Sequence, residues 1–344
     1  MYIFDGIKLF SVAMGFVFLL TLLLMFLALR FFPRLNLMDK PHLYGLKRKP
    51  IPYYGGLIIF ISFVVSVLIF VPLTKTLIGV LLAAFLVCGI SFCDDKWNLS
   101  PLIRLIVQFL AGVLLVFFGV GVLEINLPFI GVLNFSIPIL ASLFTILWVM
   151  TLINTTNFID GIGGLASGVG FIGGLTMFIL SVNPEVNADL VAQQPVALMA
   201  LILSICCFVF FIFDFPKSQI LMGDTGSTFI GFMLATLAIF SGGKMATVFL
   251  VLGLPILDLV WVVLRRTLNG QKFWKGDLKH LHHRLMELGL SERQVVIVYL
   301  SITAVLGALS VTFVNTHQKF FMIIGLVLLM VIFAGALILL PRKR

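Results

Sequence analysis

Charge is what this sequence of 344 residues has least of. Only 11% of its side chains are Asp, Glu, Lys or Arg, whereas 61% are hydrophobic, and the mean hydropathy is +1.20. A water-soluble fold of this size cannot hide so much apolar surface in one core, which excludes a soluble enzyme. Cysteine is sparse as well: Cys88, Cys93, Cys206 and Cys207 fall in or at the ends of apolar stretches. They have neither the spacing of a zinc site nor the framework of a disulfide-stapled secreted domain, and read as small buried hydrophobes. Low-complexity tracts and fixed-period repeats are also missing, which leaves a single domain over residues 1–344. The first apolar stretch opens at Asp5-Gly6 without a basic lead-in or a small-residue cleavage site, so it reads as a retained helix and not as a signal peptide.

Long apolar runs are abundant. They lie near 7–29, 54–73, 76–93, 103–122, 137–153, 162–181, 195–213, 227–241, 244–264, 295–315 and 319–340. A bilayer-crossing helix needs ~20 such residues. The expected fold is therefore all-α: a polytopic integral membrane protein with about eleven transmembrane helices. Arg30, Arg34, Lys40, Lys47, Arg48 and Lys49 follow the first run and, by the positive-inside rule, put the first loop in the cytoplasm and the N-terminus outside. Alternation from there assigns 19 of the 23 Lys and Arg, with the C-terminal tail, to the cytoplasmic side. Only Lys8, Lys75, Lys244 and Lys319 face outward, and the one sizeable cytoplasmic loop is 265–294. The net charge of +9 is thus spread over short juxtamembrane loops facing anionic lipid headgroups, which removes nucleic acid as a partner.

Ionisable groups near a bilayer cost several kcal/mol by most scales and tend to be functional. Asp94, Asp95, Asp160, Asp214, Asp224 and Asp258 all gather at cytoplasmic span ends. In "CDDKWNLSPLIRLIVQ", Asp94 and Asp95 are adjacent at a helix end and so point ~100° apart, which argues against identical jobs. Arg104 follows one turn into the next span, where a guanidinium can hold an oxyanion. In "NTTNFIDGIGGLASG", Asn154, Asn157 and Asp160 recur every third residue and share one broad helix face. Interhelical hydrogen bonding alone accounts for that pattern equally well. In "MGDTGS", Asp224 precedes a span, where it either caps the helix or offers the free amides beside it to a phosphate.

Three of the five histidines, His280, His282 and His283, are packed into "HLHHRL". Zinc ligation is one reading of them, but Lys279 and Arg284 flank the cluster, which is poor company for a dication. The same residues suit a diphosphate, with Asp277 able to orient a ring. A basic loop on lipid headgroups is the plainer alternative. Carboxylates and amides suited to Mg²⁺, with a basic loop suited to phosphates, point to metal-assisted phosphoryl transfer at a bilayer surface.

The motifs "DDKWNLSP", "NTTNFIDG", "MGDTGS", "PILDLVWVVLRR" and "DLKHLHHRL", in that order, resemble the polyprenyl-phosphate N-acetylhexosamine-1-phosphate transferases along nearly the whole chain. "HLHHRL" is similar to the branch that initiates O-antigen, common-antigen or teichoic-acid linkage synthesis; the sister peptidoglycan branch usually shows three consecutive histidines. The resemblance implies transfer of a sugar 1-phosphate, most readily GlcNAc-1-phosphate, from a UDP-sugar to undecaprenyl phosphate, releasing UMP at the cytoplasmic face of a bacterial inner membrane. It implies Asp94 and Asp95 as catalytic, and Asp224 and Asn157 as ligands of Mg²⁺, with Mn²⁺ a substitute. Arg104, Asn154, Asp160, Asp277, His280, His282, His283 and Arg284 would bind substrate, and a homodimer is an assembly it allows. Two departures stand out. Gly163 in "DGIGG" replaces a carboxylate that relatives often carry near the nucleotide, and "KPHLYGLKRKPIPYYGG" lacks the usual Arg-Lys-x-His pattern. Transport of an anionic solute is a competing reading, against which stands the gathering of polar groups on one face instead of at the midplane.

Overall fold

Caps and breakers cut the apolar chain into helices. A computed structural model describes residues 2–41, 48–241, 244–268, 270 and 281–339. Among them, in order, are α1 (Tyr2–Phe31), α2 (Gly56–Phe70), α3 (Lys75–Trp97), α4 (Pro101–Phe117), the strands β1 (Glu124–Leu127) and β2 (Gly131–Asn134), α5 (Pro138–Ile159), α6 (Leu165–Val182), α7 (Leu190–Asp214), α8 (Asp224–Phe240), α9 (Met245–Val251), α10 (Gly253–Leu268), α11 (Leu281–Glu287), α12 (Glu292–Thr312) and α13 (Thr316–Leu339).

Local side-chain caps explain four of the helix starts. Thr74 accepts from the Leu77 amide to open α3, Ser100 followed by Pro101 opens α4, Asp189 accepts from Ala192 to open α7, and Ser291 forms a capping box with Gln294 at α12. The Asp189 cap starts α7 five residues ahead of the apolar run, so Pro195 lies inside the helix. α6 and α8 start at glycines of positive φ. They begin at Gly164 and Gly223 with no capping side chain of their own.

Each of the eleven apolar runs overlaps a helix. Among the described residues six helices are long and apolar enough to cross a membrane, and α9 with α10 makes a seventh if that pair, bent by 80°, counts as one span. The bend falls at Leu252-Gly253, two residues before Pro255, whose missing amide and ring disfavour a straight continuation. The other apolar helices are shorter: Gly56–Phe70, Pro101–Phe117, Asp224–Phe240 and Thr316–Ile332. The all-helical expectation gains one addition, the β1–β2 hairpin with Glu124 opposite Asn134 and Leu127 opposite Gly131. Its strands are four residues each and offer little alternation to read.

α8 is the axis of the molecule. Its residues from Thr225 to Ile239 are all buried, packed against α2, α3, α5 and α6. In lipid such association is driven by close packing more than by hydrophobicity, and small residues permit it. A Cβ on Gly56 would lie 2.1 Å from the Gly226 amide nitrogen, so the starts of α2 and α8 meet backbone to backbone. Below that contact Phe229 takes Phe60 and Phe63 edge-on, at 5.4 and 5.2 Å. The segment before α2 is zipped to the one before α8: Leu221 N donates to Pro52 O, Gly55 N to Leu221 O and Gly56 N to Met222 O, each at 2.9 Å. "PYYGG" thereby fixes the position of "MGD".

Candidate active site

Gly223 holds φ at +74°, a positive-φ backbone conformation that glycine adopts without strain, just before the first amides of α8. Those amides find Asp95 of α3: Asp224 N and Thr225 N donate to its carboxylate at 2.9 and 3.1 Å. The Thr225 hydroxyl (2.8 Å) and the Tyr53 phenol (2.9 Å) donate to it as well. Burial, and then the Asp95 charge, push the Tyr53 phenol far above its usual range, so it remains a donor. Asp95 is thus an imported cap for α8, with its oxygens occupied.

Its neighbour Asp94 faces elsewhere. Buried at 6% exposure, it accepts from Leu99 N at 2.6 Å and from Arg104 Nη1 at 3.0 Å. The same Arg104 nitrogen donates to Asp224 Oδ2 at 3.1 Å. The other Asp224 oxygen accepts from Asn157 Nδ2 at 2.9 Å, and Asn157 also reaches Ser227 Oγ at 3.1 Å. Four of the residues singled out by sequence, carried by α3, α4, α5 and α8, therefore form one network in which a single guanidinium sits between two carboxylates. Carboxylate oxygens of Asp94 and Asp224 beside the Asn157 amide are the donor set of a hard cation such as Mg²⁺. Among the described residues no three or more His, Cys, Asp or Glu enclose a metal.

Asn154 lies one turn back on α5 but is not part of that network. Its amide donates to Gln108 Oε1 at 2.6 Å and to Met150 O at 2.7 Å. Asp160 follows the end of α5, and burial together with Asp214, Asp224 and Asp95 pushes its carboxyl well above the ordinary range. Past it, a Cβ on Gly161 would meet His282 Nε2 at 3.1 Å, which brings the buried His282 of α11 against the "DGIGG" loop. The His283 ring lies 4.2 Å from that of His282, and Arg284 pairs with Glu287 at 2.6 Å. Asp258 of α10 accepts from Leu281 N at 2.9 Å and so fastens the start of α11. Asp277 and His280 lie outside the described residues. Of the loop expected at 265–294, residues 265–268 continue α10, 281–287 form α11 and α12 starts at 292.

A cavity of about 600 Å³ opens on the other wall of the loop, within the range of small-ligand sites. Gly161, Ile162, Gly163 and Leu221 line it with Arg48, Lys49, Lys217 and Arg293, against one acidic residue, Glu292. The cations come from three distant parts of the sequence. The sequence reading placed Asp214 among the aspartates at span ends without giving it a role, and it missed Tyr53, Gln108, Thr225 and Ser227. Only Gln108 had a usable signal, its place one helical turn beyond Arg104.

Residues 77–242 match the family model described as glycosyl transferase family 4. The chain is 30% identical over 275 residues to a probable undecaprenyl-phosphate N-acetylglucosaminyl 1-phosphate transferase of Bacillus subtilis, covering 78% of this chain and 75% of that protein. It is 32% identical over 326 residues to the decaprenyl-phosphate N-acetylglucosaminephosphotransferase of Mycobacterium tuberculosis, covering 86% and 80%. It is also 26% identical over 315 residues to the undecaprenyl-phosphate alpha-N-acetylglucosaminyl 1-phosphate transferase of Escherichia coli, covering 88% and 83%.

Proposed function

This chain belongs to glycosyl transferase family 4, among the polyprenyl-phosphate N-acetylglucosamine-1-phosphate transferases, and we propose that it moves GlcNAc-1-phosphate from UDP-GlcNAc to undecaprenyl phosphate. The observation that carries the reading is Arg104 held between Asp94 and Asp224, with Asn157 on the second Asp224 oxygen. That cluster suits two phosphorylated substrates that repel each other on approach, because it offers them one guanidinium and a set of oxygen donors for a cation. A lipid-phosphate oxygen attacks the phosphorus bearing the sugar. The anhydride bond to the other phosphorus breaks, and its electron pair leaves with UMP. Asp94 orients the incoming phosphate and takes its proton where one is present, while Arg104 exchanges a carboxylate for a phosphate oxygen. Bound Mg²⁺ would neutralise charge on the transferred group, held by Asp224 and Asn157.

The donor's nucleotide end occupies the basic cavity, and His282, His283 and Arg284, with Asp277 and His280, serve its diphosphate. In the membrane the eleven apolar runs each cross, with the N-terminus outside and the site on the cytoplasmic side, as the 19 of 23 basic residues on that side favour. Incubating purified protein with UDP-GlcNAc and undecaprenyl phosphate, and identifying the released nucleotide, tests the reaction. UMP and reversal by excess UMP are expected, since one phosphoanhydride is exchanged for another; release of UDP would overturn the reading.

A further inference from the structure

Asp214 ends α7 and belongs to no motif singled out above, yet it is 3% exposed, and one of its oxygens accepts from Gly164 N at 2.7 Å and from the Ser167 hydroxyl at 3.3 Å. Its other oxygen accepts from the Ser218 hydroxyl at 2.9 Å. Gly164 and Ser167 belong to the loop after α5 and the first turn of α6, and Ser218 to the turn after α7. Gly161 to Gly163 and Phe215 to Ser218 both belong to the wall of the basic cavity, where the two segments adjoin. One buried carboxylate therefore ties both segments together. The fit around it leaves no slack: a Cβ on Gly163 would lie 2.1 Å from Ser218 Oγ and 3.1 Å from Asp214 Oδ1. Gly163 is where a carboxylate side chain was expected from the resemblance. Here the Asp214–Ser218 pair fills that space from the adjoining segment.

We infer that Asp214 is a positioning residue for the nucleoside diphosphate donor: by clamping the 161–164 loop to the 214–218 turn it sets the width of the cavity that receives the nucleotide. The inference rests on the assignment of that cavity to the donor. It has an unusual requirement, because the clamp needs hydrogen-bond acceptance and not negative charge. An asparagine at 214 can accept from Gly164 N with its oxygen and donate through its amide to a reoriented Ser218 hydroxyl, keeping both segments joined. An alanine leaves the Gly164 amide and the Ser167 hydroxyl without their acceptor, while the Ser218 hydroxyl keeps the backbone carbonyl of residue 214 at 3.0 Å.

The test uses the full-length, detergent-purified protein, with UMP binding measured by calorimetry and initial rates measured against each substrate separately. D214A is expected to weaken UMP binding and raise KM for UDP-GlcNAc by about tenfold, while KM for undecaprenyl phosphate stays within about twofold, and D214N is expected to stay within about threefold of the parent. G163A is expected to raise the same donor KM, and S218G, by removing the hydroxyl that the new methyl meets, to relieve part of that loss in the double variant. Equal changes in both KM values, a D214N as defective as D214A, or additive losses in G163A/S218G would overturn the clamp. A parent protein that binds UMP but makes no lipid-linked sugar would instead sink the proposed reaction and leave the clamp standing.

Discussion

Asp94 and Asp95 are neighbours in sequence and belong to different worlds in the structure. Asp94 shares Arg104 with Asp224 at a partly open centre, whereas Asp95 is turned inward and accepts four donors at the start of α8. Asp214 at the start of α6 and Asp258 at the start of α11 repeat the Asp95 pattern. Three helix starts thus receive an aspartate from another helix. Free amides at a helix end need acceptors, and in lipid there is no water to supply them. Carboxylates clustered on one membrane face are therefore of two kinds, those left available to substrate and those consumed in holding helix ends where substrate is to be met.

The sharpest way to break that division is at the open centre. Asp224→Asn removes charge from the carboxylate that Arg104 and Asn157 share, and turnover is expected to fall by ~100-fold or more. The elution profile of the purified protein should not change, since the imported cap on α8 is untouched. A folded variant with near-parental activity would remove Asp224 from the chemistry.

The capping side breaks differently. Asp95→Ala strands two amides and two hydroxyls, at ~1 kcal/mol or more apiece, so a clear drop in thermal midpoint is expected along with lost activity. Asp95→Asn, which keeps one acceptor, should lie between parent and Ala in both respects. If Asp95→Ala melted with the parent and yet lost all turnover, Asp95 would belong with Asp94.

The histidine helix is the milder case. His282→Ala opens a void beside Gly161 and is expected to raise KM for the UDP-sugar by ~10-fold, with a smaller effect on the lipid substrate. Equal effects on both substrates would argue for a purely structural role.

Much of this was readable in advance, for identifiable reasons. Apolar runs mark helices because length and hydropathy are local properties, Asp94, Arg104 and Asp224 could be singled out because charge is so scarce, and Asn157 because it recurs at helical spacing with Asn154 and Asp160. The imported caps were not readable: Asp95 meets Thr225 across 130 positions and Asp214 meets Gly164 across 50, and nothing local encodes such pairings. The cation-lined cavity was hidden for the same reason. Its Arg48, Lys49, Lys217 and Arg293 looked like separate juxtamembrane charges. Gly163, which read as a missing carboxylate, proved to be a position with no room for one.

Asn154 is the finest test of the two-kinds argument, because it sits on the same helix face as Asn157 and was expected to bind substrate. Its side chain is instead exchanged with Gln108 between α5 and α4, an arrangement that replaces no contact to Asp224 or Arg104. A hydrogen-bonded pair of this kind between membrane helices contributes about 0.6 kcal/mol, so Asn154→Ala should cost little stability and no more than about threefold in turnover. Gln108→Ala should behave alike, and the two together should cost little more than either alone, since both break one interaction. Asn157→Ala, which releases Asp224 and Ser227, should be much worse. If Asn154→Ala matched Asn157→Ala in turnover at unchanged thermal midpoint, the substrate would have to reach Asn154 after all, and the boundary drawn between the open centre and its scaffold would have to move one helical turn along α5.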